Sequence, residues 1–111
     1  MQVQNSINQY NPEIQRINYC KVNQNTTTIF YGENRECSIR TSLHNLEKLL
    51  PQSQFIRIRR DTIVNLNKIK KIETKKKNCI ILVDGTKLPI SKRQVNLTRK
   101  MSNKIMTSRE F

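Results

Sequence analysis

The residues best suited to specific chemistry are arginines held at short spacing. Arg57, Arg59 and Arg60 fall within Phe55-Ile-Arg-Ile-Arg-Arg60, and a second basic pair, Lys92 and Arg93, follows Ser91. A guanidinium is a planar fork that grips a guanine edge through two parallel bonds, whereas a lysine ammonium acts as a point charge. Strand alternation puts Arg57 and Arg59 on the face opposite Ile56 and Ile58. Arg60 sits near a strand end, where a loop presents it, and Ser91, Lys92 and Arg93 also follow a strand end. The pattern suits arginines that read base edges from loop tips and lysines that attract phosphates. For the run Lys75-Lys76-Lys77 the plainer reading is a solvated turn.

Other chemistry is poorly served. His44, the single histidine, falls in an expected helix, where packing or solvent exposure is its ordinary role; a general base needs placed partners. The acids are scattered and form no metal-ligand cluster. The only glycines are Gly32 and Gly85, too few for a P-loop or a dinucleotide fingerprint. Cys20, Cys37 and Cys79 are odd in number, far apart and without a CxxC pair. They read as reduced cysteines packed in strands and not as a zinc site. No catalytic residue, metal, cofactor or small-molecule substrate is expected, and the chain does not read as an enzyme.

Charge narrows the partners. The 111 residues fit one domain, and 21 Lys and Arg against 8 Asp and Glu leave a formal net charge of +13. Such a balance calls for an anionic partner: nucleic acid, an anionic membrane face or an acidic protein. No apolar run approaches the roughly 18 residues of a spanning helix. Met1 to Asn11 is rich in Gln and Asn and lacks an apolar signal core. The expected location is therefore the cytoplasm. The hydrophobic fraction, 35%, lies below the usual value of about 45–50%, but the apolar residues gather in short runs, as in a folded chain.

These runs define the elements that must carry the basic residues. Residues 1–12 read as a flexible polar tail. Ile14 to Val22 is strand-like, Asn23-Gln24-Asn25 is a turn or loop, and Thr26 to Tyr31 is a strand rich in β-branched and aromatic residues. Gly32-Glu33-Asn34 reads as a hairpin turn leading to a strand over Glu36 to Arg40. Leu43, Leu46, Leu49 and Leu50 recur near helical spacing, with Thr41 or Ser42 as cap and Pro51 as stop, giving one short helix over about 41–50. Phe55 to Ile58 and Thr62 to Val64 are further strands. Cys79 to Val83 is an unbroken apolar run fit for a buried strand, Asp84-Gly85 is a hairpin signal, and Pro89 marks an edge or strand end. Val95, Leu97, Met101, Ile105 and Met106 are spaced for a C-terminal helix. The expected fold is mainly β: several small antiparallel sheets of short strands with that short helix and the C-terminal one. The domain is expected over 13–106, with a tail at 107–111.

At this level the sequence resembles a family. Phe55-Ile-Arg-Ile-Arg-Arg-Asp-Thr-Ile-Val-Asn65 is similar to the LytTR motif Phe-x-Arg-x-His-Arg-Ser-x-Ile-Val-Asn. Leu82-Val-Asp-Gly-Thr-Lys-Leu-Pro-Ile-Ser-Lys-Arg93 resembles the family's strand, Asp-Gly turn, Leu-Pro-Val-Ser strand and basic pair. Ile69 and Ile72 match its Ile-x-x-Ile strand, and Ser42-Leu-x-x-Leu-Glu-x-Leu49 its short helix. The resemblance covers roughly residues 12–101. It implies a transcription regulator that binds double-stranded DNA by loops in two successive major grooves, commonly at paired direct repeats with a second copy of itself. It maps three contact loops onto Asn23, Gln24 and Asn25; onto Arg59 and Arg60; and onto Ser91, Lys92 and Arg93. Amide side chains suit adenine, so Gln24 and Asn25 are chemically sensible readers. Many relatives carry a receiver domain ahead of this one, for which twelve residues leave no room. Met1 leans toward a stand-alone regulator, and stand-alone members are often held in check by a membrane-bound inhibitory partner.

Two positions depart from the pattern: Arg59 replaces the histidine, and Asp61 replaces the serine. Arg59 keeps or increases attraction for phosphate. Asp61 repels it at close range, and is expected instead to pair with an arginine or cap a turn, so that Asp61→Ser raises affinity for all sequences. Two other functions fit the charge. One is a basic β-domain for RNA or single strands, which usually stacks bases on exposed aromatics; Phe30 and Phe55 here read as core. The other is a module for an acidic protein partner.

Overall fold

The computed structural model describes residues 12–108. The expected tail over 1–12 lies outside them except for Pro12, and the tail expected at 107–111 lies outside them except for its first two residues. The described residues open with a single helical turn, α1 (Pro12–Gln15), followed by β1 (Ile17–Asn23), β2 (Thr26–Tyr31), β3 (Glu36–Ile39) and helix α2 (Leu43–Leu49). Then come β4 (Phe55–Arg59), β5 (Thr62–Asn65), a 3-10 turn (Leu66–Lys68), β6 (Ile69–Glu73), β7 (Cys79–Leu82) and β8 (Lys87–Pro89). A second 3-10 turn (Lys92–Gln94) runs into the C-terminal helix α3 (Val95–Ser108).

The strands form two antiparallel sheets, one of five strands in the order β3-β2-β1-β5-β4 and one of three in the order β6-β7-β8. The fold is mainly β with a few short helices, as the apolar pattern requires. Ile14 is the first departure from that pattern. It sits in α1 and not in a strand, because Pro12 presets a helical φ and Ile14 and Ile17 are one helical turn apart. Both are buried.

The β5–β4 side of the five-stranded sheet is covered on both faces. One face packs on α1 and α2 through Ile14, Ile17, Cys20, Ile29, Leu43, Leu46, Phe55 and Ile63. The other packs on the three-stranded sheet and α3 through Ile56, Ile58, Val64, Leu82, Leu88 and Val95. Fully burying one such aliphatic side chain contributes about 1.5–3 kcal/mol. Successive residues of β4 thus feed different cores, which fixes its register.

Helix α2 starts where its cap predicts. The Ser42 hydroxyl accepts from the Asn45 N–H at 3.1 Å, and the helix stops before Pro51. Leu49 lies off the buried face and is exposed, as is Val83 at the end of the run over 79–83. In β7 only Ile80 and Leu82 are buried, since the outer face of the small sheet has no layer above it. Asn65, fully buried, donates to the Ile17 carbonyl at 2.8 Å and accepts from the Asn67 N–H at 2.9 Å. It locks β5 to the start of β1 and caps the 3-10 turn.

Candidate nucleic-acid interface

Antiparallel pairing decides where the basic loops fall. β1 runs toward Asn23, and β5 pairs against it with Lys21 opposite Thr62. The β1–β2 turn and the β4–β5 turn therefore emerge at the same end of the large sheet, about two strand spacings or 10 Å apart. Asn23 is the last residue of β1, and Gln24 and Asn25 form the turn; all three are exposed. Gln24 adopts φ +60°, a left-handed conformation that costs a side-chain-bearing residue about 1–2 kcal/mol. Arg60 and Asp61 form the other two-residue turn.

That second turn is heavily braced. The register shifts between Arg57 and Arg59, a bulge of the kind that re-aims a side chain beside a site. Arg57 lies on the face opposite Ile56 and Ile58, as alternation predicts, but α2 covers that face. Its guanidinium pairs with Glu47 of α2 at 3.4 Å and donates to the Arg60 carbonyl. Its Nε is buried without a hydrogen-bond partner among the described residues. Arg57 thus shapes the turn and leaves Arg59 and Arg60, both exposed, to face outward. The Asp61 carbonyl accepts from the Val22 N–H at 3.0 Å, which ties the turn to β1. Its carboxylate accepts from the Thr62 hydroxyl at 2.9 Å. Of the two roles expected for Asp61, pairing with an arginine is not found.

The third loop is sewn to the second. The Ser91 N–H donates to the Ile58 carbonyl at 2.9 Å, and the Gln94 side chain donates to the Arg57 carbonyl at 2.6 Å. Ser91 itself caps no helix with its hydroxyl. Lys92 and Arg93 are exposed in the 3-10 turn that precedes α3. One open concavity is lined by Arg57, Arg59, Arg60, Asp61, Ser91, Arg93 and Gln94. The Arg59–Arg60 and Ser91–Arg93 loops therefore share a surface, and the Asn23–Asn25 turn stands beside it at the same sheet end.

Three polar residues at this end escaped the sequence reading. Gln94 orients a loop through the main chain, which leaves no mark in composition. Lys21 and Arg40 reach this end through strand pairing; Lys21 alternates with Cys20 and Val22, so its outward face was legible but its place at this sheet end was not. Phe30, expected in the core, is half-buried and stacks on Tyr19 with ring centroids 4.4 Å apart. Among the described residues no cluster of His, Cys, Asp and Glu suits a metal, and no helix is long and apolar enough to cross a membrane.

Comparison with known proteins identifies the family and the fold. The family model described as the LytTr DNA-binding domain matches residues 8–103. A solved structure, the LytTr DNA-binding domain of a response regulator from Bacillus cereus, superposes with a TM-score of 0.69 at 29% identity. The match covers 79% of this chain and 82% of that one. A search of curated proteins finds no match.

Proposed function

This chain belongs to the LytTR family of DNA-binding domains, and on that premise we propose that it is a transcription regulator reading specific duplex sequences through three loops at one sheet end. In this reading Arg59 and Arg60 enter a major groove from the β4–β5 turn. Arg93, flanked by Ser91 and Lys92, reads from the adjoining loop. Asn23, Gln24 and Asn25 contact the duplex from the β1–β2 turn. Arg57 acts behind them, holding the Arg60 carbonyl. The domain, residues 13–106, binds as two copies at direct repeats in the cytoplasm, and a membrane-bound partner restrains it.

The observation that carries the reading is the convergence, on one end of one sheet, of loops as far apart in sequence as Asn23 and Arg93, with the arginine loops joined by one main-chain hydrogen bond and one from the Gln94 side chain. A merely soluble basic domain has no need to hold its arginines in this way. The charge of +13 supplies attraction to any duplex; the fixed turns supply discrimination.

The test is selection from a random duplex library at about 0.15 M salt, with wild type and Arg93→Ala side by side. Salt matters because phosphate attraction alone gives dissociation constants of roughly 10⁻⁴ to 10⁻⁶ M. The expected result is a defined motif for wild type, in direct repeats about one helical turn apart, with one position lost in Arg93→Ala. Binding that only fades with salt, or single strands that compete better than duplex, would refute the reading in favour of a nonspecific or RNA-binding surface.

A further inference from the structure

The turn at the centre of this interface holds an acid. Asp61 is half-buried in the same concavity as Arg57, Arg59, Arg60 and Arg93, yet it forms an ion pair with none of them. One carboxylate oxygen takes the Thr62 hydroxyl, and the main-chain carbonyl takes the Val22 N–H. The preceding carbonyl, that of Arg60, is held by Arg57. The two-residue tip is thus fixed from β1, from β4 and from its own strand. Among the described residues the Arg60 guanidinium and the remaining lone pairs of the Asp61 carboxylate have no partner.

An ionised carboxylate only accepts hydrogen bonds, and a phosphate brought close to it is repelled. In the major groove the donors are the exocyclic amino groups of cytosine (N4) and adenine (N6). Adenine sets its N7 acceptor beside that amino group, which repels a carboxylate. Cytosine has no such neighbour on its own edge, and its partner guanine offers N7 and O6 to an arginine. Adjacent Arg60 and Asp61 match the charge pattern of one whole G·C pair. We infer that the Arg60–Asp61 tip is a G·C reader, with Arg60 donating to guanine and Asp61 accepting from cytosine N4. The inference rests on the reading above, in which this tip enters a major groove.

The competing role for Asp61 is structural, as the acceptor for Thr62. Asp61→Asn keeps an acceptor of the same shape and removes the charge, so a structural role predicts no change in base preference. Selection at about 0.15 M salt with wild type, Asp61→Asn and Asp61→Ala separates the two. The expected wild-type motif has a G·C pair at one position. Asp61→Asn loses that preference by roughly tenfold or more and gains adenine there, since an amide suits adenine N6 and N7. Asp61→Ala binds all sequences more tightly and keeps at that position only the weaker guanine preference that Arg60 supplies.

A second arm leaves the protein untouched. In the selected duplex the cytosine is replaced by N4-methylcytosine, which still pairs with guanine but has lost the amino hydrogen turned to the groove. Wild type is expected to weaken roughly tenfold on it, and Asp61→Ala to be indifferent. An unchanged motif in both variants, with wild-type affinity unaffected by the methyl group, overturns the inference and leaves the proposed function standing. A wild type that enriches no motif overturns both.

Discussion

The protein carries two basic turns of opposite construction. The β4–β5 turn is short and held by its neighbours: Arg57 grips its carbonyl, β1 grips the next one, and Glu47 of α2 fixes Arg57 in place. The β6–β7 connection has more charge, with Lys75, Lys76 and Lys77 all exposed. Among the described residues none of these lysines forms an ion pair, and the segment is secured at its end by the Asn78 carbonyl, which accepts from the Ile90 N–H at 3.1 Å. Charge alone attracts any polyanion. Discrimination between sequences is helped when the main chain that carries a guanidinium is in place before the DNA arrives, because ordering a loop on binding costs free energy. The turn with less charge is the one that is braced.

The contrast is broken most directly by exchanging the effects of the two regions. Arg57→Ala removes one charge and the brace. It is expected to weaken the selected sequence by about thirtyfold, the equivalent of about 2 kcal/mol for charged hydrogen bonds, and random duplex only slightly. Changing Lys75, Lys76 and Lys77 together to alanine removes three charges. It is expected to weaken both duplexes equally and to flatten the logarithmic salt dependence by up to about 2.7. Fluorescence titrations of both duplexes across a salt series measure this, and a uniform loss for Arg57→Ala would end the bracing account.

A smaller effect tests how far strain belongs to the interface. Gln24→Gly relieves the positive φ of the β1–β2 turn and is expected to raise the unfolding midpoint by about 2–4 °C while weakening the selected duplex. A thermal scan beside a binding titration shows whether stability and affinity move in opposite directions.

The smallest effect concerns thiols away from both turns. Burial pushes the Cys20 thiol up to about 12 from an ordinary value near 9, while Cys37 is exposed. Iodoacetamide on the native protein is expected to modify Cys37 and spare Cys20 until unfolding. Because the folded-state value of Cys20 is the higher one, its contribution to stability is full below about 9 and is lost as pH rises toward 12. Unfolding midpoints across that window give the check.

How much of this was legible in the sequence depended on what each residue does. Apolar spacing placed α2, the strands and the C-terminal helix, because burial acts through periodicity. Turn chemistry placed Asp84-Gly85, where Gly85 takes φ +93° and the Asp84 carboxylate accepts from the Thr86 N–H at 2.9 Å. The same motif that revealed the candidate site hid a division of labour. Arg57 and Asn65 build the turn and lock the sheet, while Arg59 and Arg60 face outward. Strand alternation gave the side on which Arg57 lies but not that α2 would occupy that side. Gln94 was illegible because its role depends on a carbonyl exposed by a bulge 37 positions away. Pairings of that kind arise only once two sheets meet.

The seam between β4 and the segment at Ser91 has a consequence for solubility. β4 is a terminal strand of its sheet, and free carbonyls on such a strand invite pairing with another chain. Here the carbonyls of Arg57 and Ile58 are already taken, by Gln94 and Ser91. The strand that carries the arginines is thereby closed to end-to-end stacking. The other terminal strand, β3, is only four residues long and exposed throughout, a poor template for growth. Crowding many copies on one stretch of DNA then brings molecules together without offering them a sheet to extend.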